Sequence, residues 1–585
     1  MTEFDGMHSV IPTLPMFSAL ALGVIVVGLY VVYQWALPKP IPGIPYDSHA
    51  AKNLRGSLPD LLAYRKINGR LRPWFVEQAL KHQSPLVQAW MFPLSKPVLI
   101  LADYQEAQDL LLRRGKEFDR GRRGADVFHG VVPNHHISMT SSDPRFKANK
   151  ELVRDLMAPT FLNEVSAPEI YSKTMMLVNL WTLKAKSAGG KPFDARKDIV
   201  DAAMDIINAA AFSFDDSMST TKHQLDYLAG NGASQIVTGD GGSIEFPRLP
   251  DIPDIAAISA IADHLGTQFR SIMPRLDHKI RLLTQPDLRR NITRKDAMIS
   301  REIARSLARF ENGDHTMFSA LDHLLQREMN ASQKAGRQPD FTSPSIKDEI
   351  FGYIVAGHET SSTSLQWTTK HIANHPEVQS KLRSALREAY SAASRESRQP
   401  TVLEITKTNV PYLDAVLEES LRCDAPLPIF AREATQDTVL LGYKIPKGTT
   451  MFIATAGPSF KSPAFPIDER SRSGTSQEKY RGGQWKAEDM HLFKPERWLK
   501  TDERGNAVFD SQSGPMLAFG MGPRGCFGKR LAYLEMRMVL ALLVWNFEFK
   551  QLAEPFSSHQ PCDSITTMPK YCYVALERLN DLSNE

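Results

Sequence analysis

The chain has 585 residues, of which 42% are hydrophobic and 23% charged, and its formal net charge is +4. These proportions are ordinary for a globular protein, and so small a net charge on so long a chain does not favour nucleic acid as a partner. Four cysteines are too few for a disulfide scaffold, so we expect the body of the protein to lie in a reducing compartment.

The amino end has the composition of a membrane anchor. After a tail at residues 1–15, the stretch 16–37 contains no charged residue and is long enough to cross about 30 Å of hydrocarbon as one helix. A cleaved signal peptide is the alternative, but it would need a basic start and an apolar core of about 7–15 residues. Here Glu3 and Asp5 come first and the core is longer. We therefore expect a single transmembrane helix.

Residues 38–50, which follow the predicted anchor, are rich in proline and would form a stiff hinge. No lysine or arginine precedes the span, whereas several follow it, at Lys39, Lys52, Arg55, Arg65 and Lys66. By the positive-inside rule, the body at residues 51–585 then lies on the cytosolic face of the membrane.

A long helix is predicted between Ser343 and Pro376, where Ser-Pro-Ser marks the start and the proline marks the end. Its flanks are apolar, but residues 356–361 in its middle read Ala-Gly-His-Glu-Thr-Ser. Glycine, a carboxylate and a hydroxyl lower the stability of a helix interior, so their presence there indicates a functional use. A locally solvated helix face is the alternative for an isolated Glu-Thr pair.

Three shorter patterns follow the long helix. A helix is predicted over 411–422, in which Glu419 and Arg422 stand three apart and share a face, although this spacing recurs at unrelated places in the chain. Residues 441–449 alternate and turn like the edge of a sheet, and residues 493–498 read Phe-Lys-Pro-Glu-Arg-Trp.

The segment 519–528 reads Phe-Gly-Met-Gly-Pro-Arg-Gly-Cys-Phe-Gly and precedes a helix predicted over 529–543. A cysteine just before a helix lies at the positive end of the helix dipole, which favours the thiolate form of Cys526. The segment also satisfies the dinucleotide fingerprint G-x-G-x-x-G, but that fingerprint needs a buried strand before it, and here a polar turn at 510–515 precedes. The remaining cysteines are interpreted as buried small hydrophobic residues: Cys423, Cys562 and Cys572.

The segment 519–528 fills every fixed position of Phe-x-x-Gly-x-Arg-x-Cys-x-Gly, and in this it resembles the haem-binding signature of the cytochrome P-450 family. The motifs at 356–360, at 419–422 and at 495–498 resemble three further motifs of that family and stand in the same order. The resemblance implies a mainly α fold with a small β region behind one transmembrane helix. An insertion at 462–485, interpreted as polar surface, and the segment 154–159 resemble members from filamentous fungi.

The resemblance also implies the contacts of a haem cofactor. Cys526 would be the axial thiolate and the metal ligand, Arg432 and Arg524 would pair with the propionates, and Phe519 would contact the haem. Where the family has Trp-x-x-x-Arg on an early helix, this chain has a phenylalanine and Lys150. Lys150 is therefore the third expected propionate partner, although lysine supplies charge without a bidentate fork.

On the long helix, the resemblance implies that Gly357 opens space for dioxygen, that Thr360 hydrogen-bonds the activated oxygen and that Glu359 helps to relay protons. His358 fills a variable position and is expected to be structural. A triad that supports the haem pocket, structural rather than chemical, is implied for Glu419, Arg422 and Arg497.

The resemblance thus predicts a membrane-bound haem-thiolate monooxygenase, single-pass in the endoplasmic reticulum with its catalytic domain facing the cytosol. It would use dioxygen to hydroxylate or epoxidise a lipophilic small molecule in secondary metabolite biosynthesis. Electrons would come from NADPH–cytochrome P-450 reductase, because the chain encodes no flavin or nicotinamide domain. The expected partners include the lipid bilayer and no nucleic acid. Two rivals keep the haem: an isomerase or dehydratase, against which Glu359 and Thr360 argue, and a non-enzymatic haem sensor.

Overall fold

The computed structural model describes residues 14–92, 94–230, 235–271, 273–480 and 485–579, with side chains from residue 19 onward. Helices make up most of the chain. They are α1 (Leu14–Ala36), α2 (Ser48–Ala51), α3 (Leu58–Asn68), α4 (Arg72–His82), α5 (Tyr104–Leu112), α6 (Arg122–His129), α7 (Pro144–Leu152), α8 (Pro159–Phe161), α9 (Ala167–Ala188), α10 (Arg196–Phe212), α11 (Thr220–Ala229), α12 (Pro253–Gln268), α13 (Pro274–Thr284), α14 (Pro286–Glu311), α15 (Ala320–Lys334), α16 (Pro344–Asn374), α17 (Pro376–Ala389), α18 (Ser391–Arg395), α19 (Val402–Lys407), α20 (Pro411–Cys423), α21 (Gly474–Lys479) and α22 (Lys529–Asn546).

The strands are short and occupy a small part of the chain, which confirms the expected mainly α fold with a small β region. They are β1 (Leu86–Ala89), β2 (Val98–Leu101), β3 (Phe118–Asp119), β4 (Phe193–Asp194), β5 (Val237–Thr238), β6 (Ile244–Glu245), β7 (Ile429–Ala434), β8 (Thr438–Leu440), β9 (Tyr443–Ile445), β10 (Thr450–Ala454), β11 (Leu499–Thr501), β12 (Ala507–Phe509), β13 (Phe547–Phe549), β14 (Pro561–Asp563), β15 (Thr567–Pro569), β16 (Tyr573–Val574) and β17 (Leu576–Arg578).

Serine and proline set the boundaries of the long helix α16. The Ser343 side chain accepts a hydrogen bond from the N–H of Ser345, and α16 ends at Asn374, just before Pro376. The predicted helices at α20 and α22 are also present, and α22 continues past its predicted end to Asn546. The three helices that were predicted around the motifs, α16, α20 and α22, are therefore where the sequence places them.

α16 lies at the centre of the largest hydrophobic core and packs against α10 and α22. Its first half is buried through the apolar residues Ile346, Ile350, Phe351 and Ile354. In the middle of the helix this burial is interrupted, because Ala356 is exposed and Gly357 is only partly buried. An internal cavity therefore lies against the centre of α16.

A five-stranded sheet has the order β1-β2-β10-β7-β3, and Arg120, which directly follows β3, lies in the wall of that cavity. β2 and β10 are parallel, and the other neighbours are antiparallel. Asp119 at the end of β3 pairs with Glu433 of β7, so the sheet brings Arg120 and Arg432 to the same end. The sheet edge predicted at 441–449 is present in part as β9. This strand pairs with β8 in a hairpin that is separate from the five-stranded sheet.

α1 covers most of the predicted anchor. The stretch Ala19–Ala36 is long and apolar enough to cross a membrane, and none of it is buried against the rest of the protein. The helix begins at Leu14, and residues 1–13 of the predicted tail lie outside the described residues. In the predicted hinge, Ile41 is buried and exchanges two hydrogen bonds with the side chain of Gln88, so the hinge contacts the body.

The sequence suggested that the insertion at 462–485 is polar surface. Among its described residues, 462–480 and 485, some are instead buried in the body of the protein. Arg472 and Asp103 form an ion pair with a 2.7 Å contact, and both side chains are at most 5% exposed. Trp485 at its end packs on buried guanidinium groups, as described below. Charged residues within an insertion can therefore be part of the packed body when they find partners there.

Candidate active site

The cavity beneath the middle of α16 brings together most of the predicted site residues. Its wall includes residues from the cysteine loop, from α16 and from α7, namely Cys526, Phe519, Arg524, Gly357, Thr360 and Lys150. The wall does not include Glu359, Arg432 or the three triad residues. Glu359 precedes Thr360 of the wall, and Arg432 lies close to Arg120 and Arg524 of the wall, whereas the triad has no residue in it.

The cysteine loop is closed by its own backbone. The N–H of Cys526 donates to the carbonyl of Phe519 at 2.7 Å, and the N–H of Gly525 donates to the carbonyl of Gly522 at 2.9 Å. The strand that precedes the loop is β12 of the exposed β11–β12 hairpin, not a buried strand of a parallel sheet. The described residues around the loop thus lack the context that a dinucleotide fingerprint requires.

The thiol of Cys526 lies at the cavity. Burial raises the pKa of this thiol, although the N–H of Gly528 and the charge of Lys529 lower it. The start of α22 thus favours the thiolate, as predicted, but in the protein alone this contribution does not outweigh burial. A cation bound at the sulfur would deprotonate the thiol, as metal ions do.

The other cysteines have different surroundings. Cys423 and Cys572 are buried, and burial raises the pKa of each thiol to about 12. Cys562 is exposed on β14, so its interpretation as a buried hydrophobic residue is wrong. Among the four cysteines, Cys526 is the one in the wall of the cavity.

Thr360 and Glu359 are neighbours on α16 but contact different parts of the protein. The Oγ1 of Thr360 donates to the carbonyl of Ala356 at 2.7 Å and faces the cavity. The Oε1 of Glu359 accepts a hydrogen bond from Thr566 Oγ1 at 3.3 Å. Burial raises the pKa of Glu359, while the bond from Thr566 lowers it and the charge of Asp263 raises it. A hydroxyl thus lines the cavity and an acid of raised pKa stands beside it.

Gly357 lies where α10 crosses α16. A Cβ atom at this position would lie 2.6 Å from Ile207 Cδ1, so the close approach of the two helices favours glycine. This is a packing reason for the residue, and its predicted role toward dioxygen stays a prediction. His358 is buried, its Nδ1–H donates to the carbonyl of Ile354 at 3.0 Å, and burial lowers its pKa to about 4.

Glu419, Arg422 and Arg497 form one hydrogen-bonded group that joins α20 to residues 495–498. Arg422 donates to both carboxylate oxygens of Glu419 at 2.7 and 2.8 Å, and both side chains are fully buried. Arg497 Nε donates to Glu419 Oε1 at 3.0 Å, and Trp498 Nε1 donates to Oε2 at 2.8 Å. Arg422 also donates to the carbonyls of Phe460, Met490 and Leu492.

Trp485 completes this group. Its ring lies 5.3 Å from the guanidinium carbon of Arg422 and 4.7 Å from that of Arg497, within the range of cation–π contacts. It also meets Trp498 edge to face at 5.0 Å. Because every charge in this group has a partner, the group is suited to hold structure and not to bind a charged ligand.

At the other side of the cavity, Arg120, Arg432 and Arg524 form a cationic edge. Burial, followed by the charges of Arg524 and Arg432, lowers the pKa of Arg120 to about 9. Burial and Arg524 lower that of Arg432 to about 10. Among the described residues, Arg120 Nε and Arg524 Nη1 are buried without a hydrogen-bond partner. Asp119 is the nearby anion, and it accepts bonds from the N–H and hydroxyl of Ser141.

These three arginines fit the haem that the family resemblance implies. Buried guanidinium groups that repel one another and keep unpartnered nitrogens require an anion, and haem carries two propionates. Cys526 at the cavity wall supplies the sulfur donor that its iron would need. The residues present therefore fit a haem whose propionates face the cationic edge.

Lys150, the third propionate partner that the sequence predicts, lies in the cavity wall, and so does Arg120, which the sequence did not indicate. Lys150 Nζ donates to the carbonyl of Pro523 at 3.2 Å and lies 5.5 Å from the ring of Phe146. It thus has partners in the protein, whereas Arg120 has a buried nitrogen without one. The signal for Arg120 is its place directly after β3, opposite the strand that carries Arg432, and this pairing joins distant parts of the chain.

The sequence also missed a cluster of His135, His136 and Glu349. The carboxylate of Glu349 accepts from the N–H of His136 at 2.7 Å, from His136 Nδ1 at 2.8 Å and from Asn149 Nδ2 at 2.8 Å, and His135 Nε2 lies 3.3 Å away. His135 Nδ1 accepts the N–H of Ile137, so its hydrogen is on Nε2. The carboxylate of Glu349 thus has donors at both oxygens. This favours a structural role, a hydrogen-bonded tie between α16 and the segment before α7, over a metal site.

Gly352 makes this tie possible. A Cβ atom at Gly352 would lie 2.2 Å from the imidazole Cδ2 of His135, closer than side-chain atoms can approach. Glycine at this point of α16 therefore lets the histidine pack directly against the helix, beside the cavity wall.

The comparisons with known proteins agree with this geometry. The family described as cytochrome P-450 matches residues 73–459 and 486–574. The cytochrome P-450 monooxygenase TRI13 of Fusarium sporotrichioides is 35% identical over 97% of this chain and 99% of its own length. The cytochrome P-450 monooxygenase xilC of Penicillium crustosum is 34% identical over 96% of each chain.

A solved structure gives the same assignment for the fold. A crystal structure of a cytochrome P-450 superimposes with a TM-score of 0.65 over 93% of this chain and all of the other, at 17% identity. The family implies a haem with a cysteine thiolate ligand, and the cavity offers both a sulfur and a cationic edge for it. The chain belongs to the cytochrome P-450 family and is a haem-dependent monooxygenase.

Proposed function

We propose that the protein is a membrane-bound monooxygenase that hydroxylates or epoxidises a lipophilic small molecule in secondary metabolite biosynthesis. The observation that carries the proposal is that Cys526 of the cysteine loop and Thr360 of α16 line the same cavity, with the cationic edge beside them. When bound, haem with a thiolate ligand activates dioxygen, because the thiolate donates electron density that favours cleavage of the O–O bond.

Residues of the chain would hold this group. Cys526 would bind the iron through its sulfur, and Arg120, Arg432 and Arg524 would neutralise the propionates. Phe519 supports the cysteine through its carbonyl and lies in the cavity wall. The buried triad would keep the loop in place from behind.

Thr360 and Glu359 would handle protons. The Thr360 hydroxyl donates to Ala356 and can accept a hydrogen bond from the cavity through its lone pairs. The raised pKa of Glu359 lets its carboxyl group take up and release protons nearer to neutral pH than an exposed glutamate does. These two side chains support oxygen activation over the isomerase, dehydratase and sensor alternatives.

The proton-handling role of Thr360 is tested by the amount of product formed per NADPH consumed. The substrate is first sought by difference spectra against terpenoids, polyketides, alkaloids and fatty acids. With the compound that binds, Thr360→Ala should still consume NADPH but divert it to hydrogen peroxide. We expect product per NADPH to fall several-fold, and tenfold corresponds to about 1.4 kcal/mol. Ser362→Ala, which removes a buried hydroxyl of the same helix, is the control.

The outcomes separate the rival functions. Unchanged coupling in Thr360→Ala would contradict the proton role of this residue. Product formation without NADPH or oxygen would indicate an isomerase or dehydratase instead. A protein that binds haem and ligand but consumes no NADPH with reductase and oxygen would be a sensor.

The membrane part of the proposal rests on the exposed apolar helix α1. The anchor would hold the body at the cytosolic face of the endoplasmic reticulum, where NADPH–cytochrome P-450 reductase delivers electrons. Deletion of residues 1–37 should release most of the protein from membranes and leave the haem spectrum intact. Protection of the body from protease in sealed microsomes would contradict the orientation.

A further inference from the structure

The carboxyl group of Glu359 on α16 accepts a hydrogen bond from the hairpin of β14 and β15 near the carboxyl end of the chain. Thr566, which precedes β15, donates its hydroxyl to Glu359 Oε1 at 3.3 Å. Its Oγ1 also lies 2.7 Å from the Oγ1 of Thr363, one helical turn beyond Glu359. An ionised carboxylate only accepts, so the Thr566 hydrogen goes to Glu359 and Thr363 donates to Thr566. Thr363 thus donates to Thr566, and Thr566 donates to Glu359.

The backbone around Thr566 is fixed by bonds that do not use its side chain. The N–H of Ser564 donates to the carbonyl of Thr566 at 2.8 Å. Trp367 Nε1 on α16 donates to the carbonyl of Thr567 at 2.9 Å, and the N–H of Thr567 donates to Pro426 at 2.8 Å. The hairpin therefore stays in place when the Thr566 hydroxyl alone is removed.

Thr566 contacts the carboxyl group and Thr363 contacts Thr566, but neither hydroxyl supplies protons from solvent. Thr363 is 1% exposed and Thr566 is 0% exposed, so neither hydroxyl connects Glu359 to solvent. The Glu359 side chain itself is 16% exposed. Because Oε1 is engaged by Thr566, the exchange of protons falls to Oε2.

The titratable groups that face Glu359 do not replace this contact. Asp263 of α12 is an anion, and it raises the pKa of Glu359. His358 Nε2 lies 3.9 Å from Glu359 Oε2, beyond hydrogen-bond distance. Among the described residues, no lysine or arginine forms an ion pair with Glu359. The hydroxyl of Thr566 is therefore the donor that orients the acid.

We infer that Thr566 is a positioning residue for Glu359: its hydroxyl fixes one carboxyl oxygen and leaves the other to exchange protons. The inference rests on the proposed role of Glu359 in proton relay. It extends the proton-handling part of the site to a residue 207 positions further along the chain.

The test compares Thr566→Val, Thr566→Ser, Glu359→Gln and the parent as full-length, haem-loaded proteins. We expect Thr566→Val to lower product per NADPH about twofold to tenfold, the effect of one hydrogen bond. Its coupling profile should shift to higher pH, because the lost donor had lowered the pKa of Glu359. Thr566→Ser should restore both. Thr567→Val, which removes a hydroxyl bonded to Asp563 in the same hairpin, should leave both unchanged.

A readout independent of turnover is the infrared band of the protonated Glu359 carboxyl, assigned by its loss in Glu359→Gln. In a pH titration this band should persist to higher pH in Thr566→Val than in the parent. If Thr566→Val keeps the infrared band and the coupling of the parent while Glu359→Gln is impaired, the inference about Thr566 is overturned and the proposed role of Glu359 stands. A parent-like Glu359→Gln would overturn the proposed role of Glu359. Equal losses in Thr566→Ser and Thr566→Val would show a merely structural role.

Discussion

The two clusters of arginines beside the cavity differ in how their charges are balanced. In the triad, Arg422 and Arg497 share the carboxylate of Glu419, and the protein pairs its own charges. At the cationic edge, Arg120 and Arg524 keep buried nitrogens without partners among the described residues. A cluster that neutralises itself stabilises the fold, whereas a cluster that lacks its counter-ion is organised for a ligand.

The largest effect is expected in the self-paired cluster. Arg422→Ala leaves the fully buried Glu419 with one cationic partner fewer, which should cost about 3–5 kcal/mol. We expect poor accumulation without haem, measured by yield and by chemical unfolding. Arg470→Ala, whose side chain is 91% exposed beside Asp468, should cost less than about 1 kcal/mol. Normal haem loading of an inactive Arg422→Ala protein would contradict this account.

The cationic edge should respond in the opposite way. Arg120→Gln should weaken haem binding about tenfold to a hundredfold, since a charged hydrogen bond contributes about 1.5–3 kcal/mol. The haem-free protein should not lose stability, because repulsion from Arg432 and Arg524 is relieved. Haem transfer to apomyoglobin measures the first effect and thermal unfolding the second. If Lys150→Ala loses more haem than Arg120→Gln, Lys150 contributes more than Arg120 to binding the propionates, and this account of the cationic edge is contradicted.

The tie between α16 and the segment before α7 should show an intermediate effect. Gly352→Ala places a methyl group 2.2 Å from the His135 ring, so the ring must move away from Glu349. Overpacking of this kind costs about 1–3 kcal/mol. Gly115→Ala, where nothing lies within 4 Å of the new Cβ, is the control. Equal urea midpoints for the two variants would show that the tie is not tight.

A different kind of effect, on the pH dependence of stability, is expected at Glu535 in the cavity wall. Burial raises the pKa of this carboxyl group to about 8 in the folded protein, well above its ordinary value of 4.5. The unfolded chain therefore loses this proton at lower pH than the folded protein, and stability falls as pH rises toward 8. Glu535→Gln should remove that loss, which amounts to up to about 1.4 kcal/mol per pH unit. Unfolding curves at pH 5 and 8 test this, with exposed Glu503→Gln as the control.

The self-paired cluster and the cysteine loop were predictable because their signals are local. Glu419 and Arg422 stand on one helical turn, and prolines mark the ends of the surrounding helices. The order of the motifs identified which of many similar spacings mattered. The predicted helices and the mainly α fold follow from the same local signals.

The ligand-facing cluster was only partly predictable, since its members meet through long-range contacts. Arg120 reaches the cavity because β3 pairs with β7, and short strands leave little pattern in a sequence. His136 and Glu349 lie 213 positions apart, and the need for Gly352 appears only when the His135 ring is placed. The effect of burial, which raises the thiol pKa of Cys526 against the contribution of the helix start, also depends on the packed structure.

The central claim is that Cys526 is the sulfur ligand of a haem held in the cavity beside the cationic edge. The reduced protein with carbon monoxide should show the red-shifted Soret band of a thiolate complex. Cys526→Ala should lose that band, while Cys423→Ala, Cys562→Ala and Cys572→Ala should keep it. Retention of the band by Cys526→Ala would contradict the account.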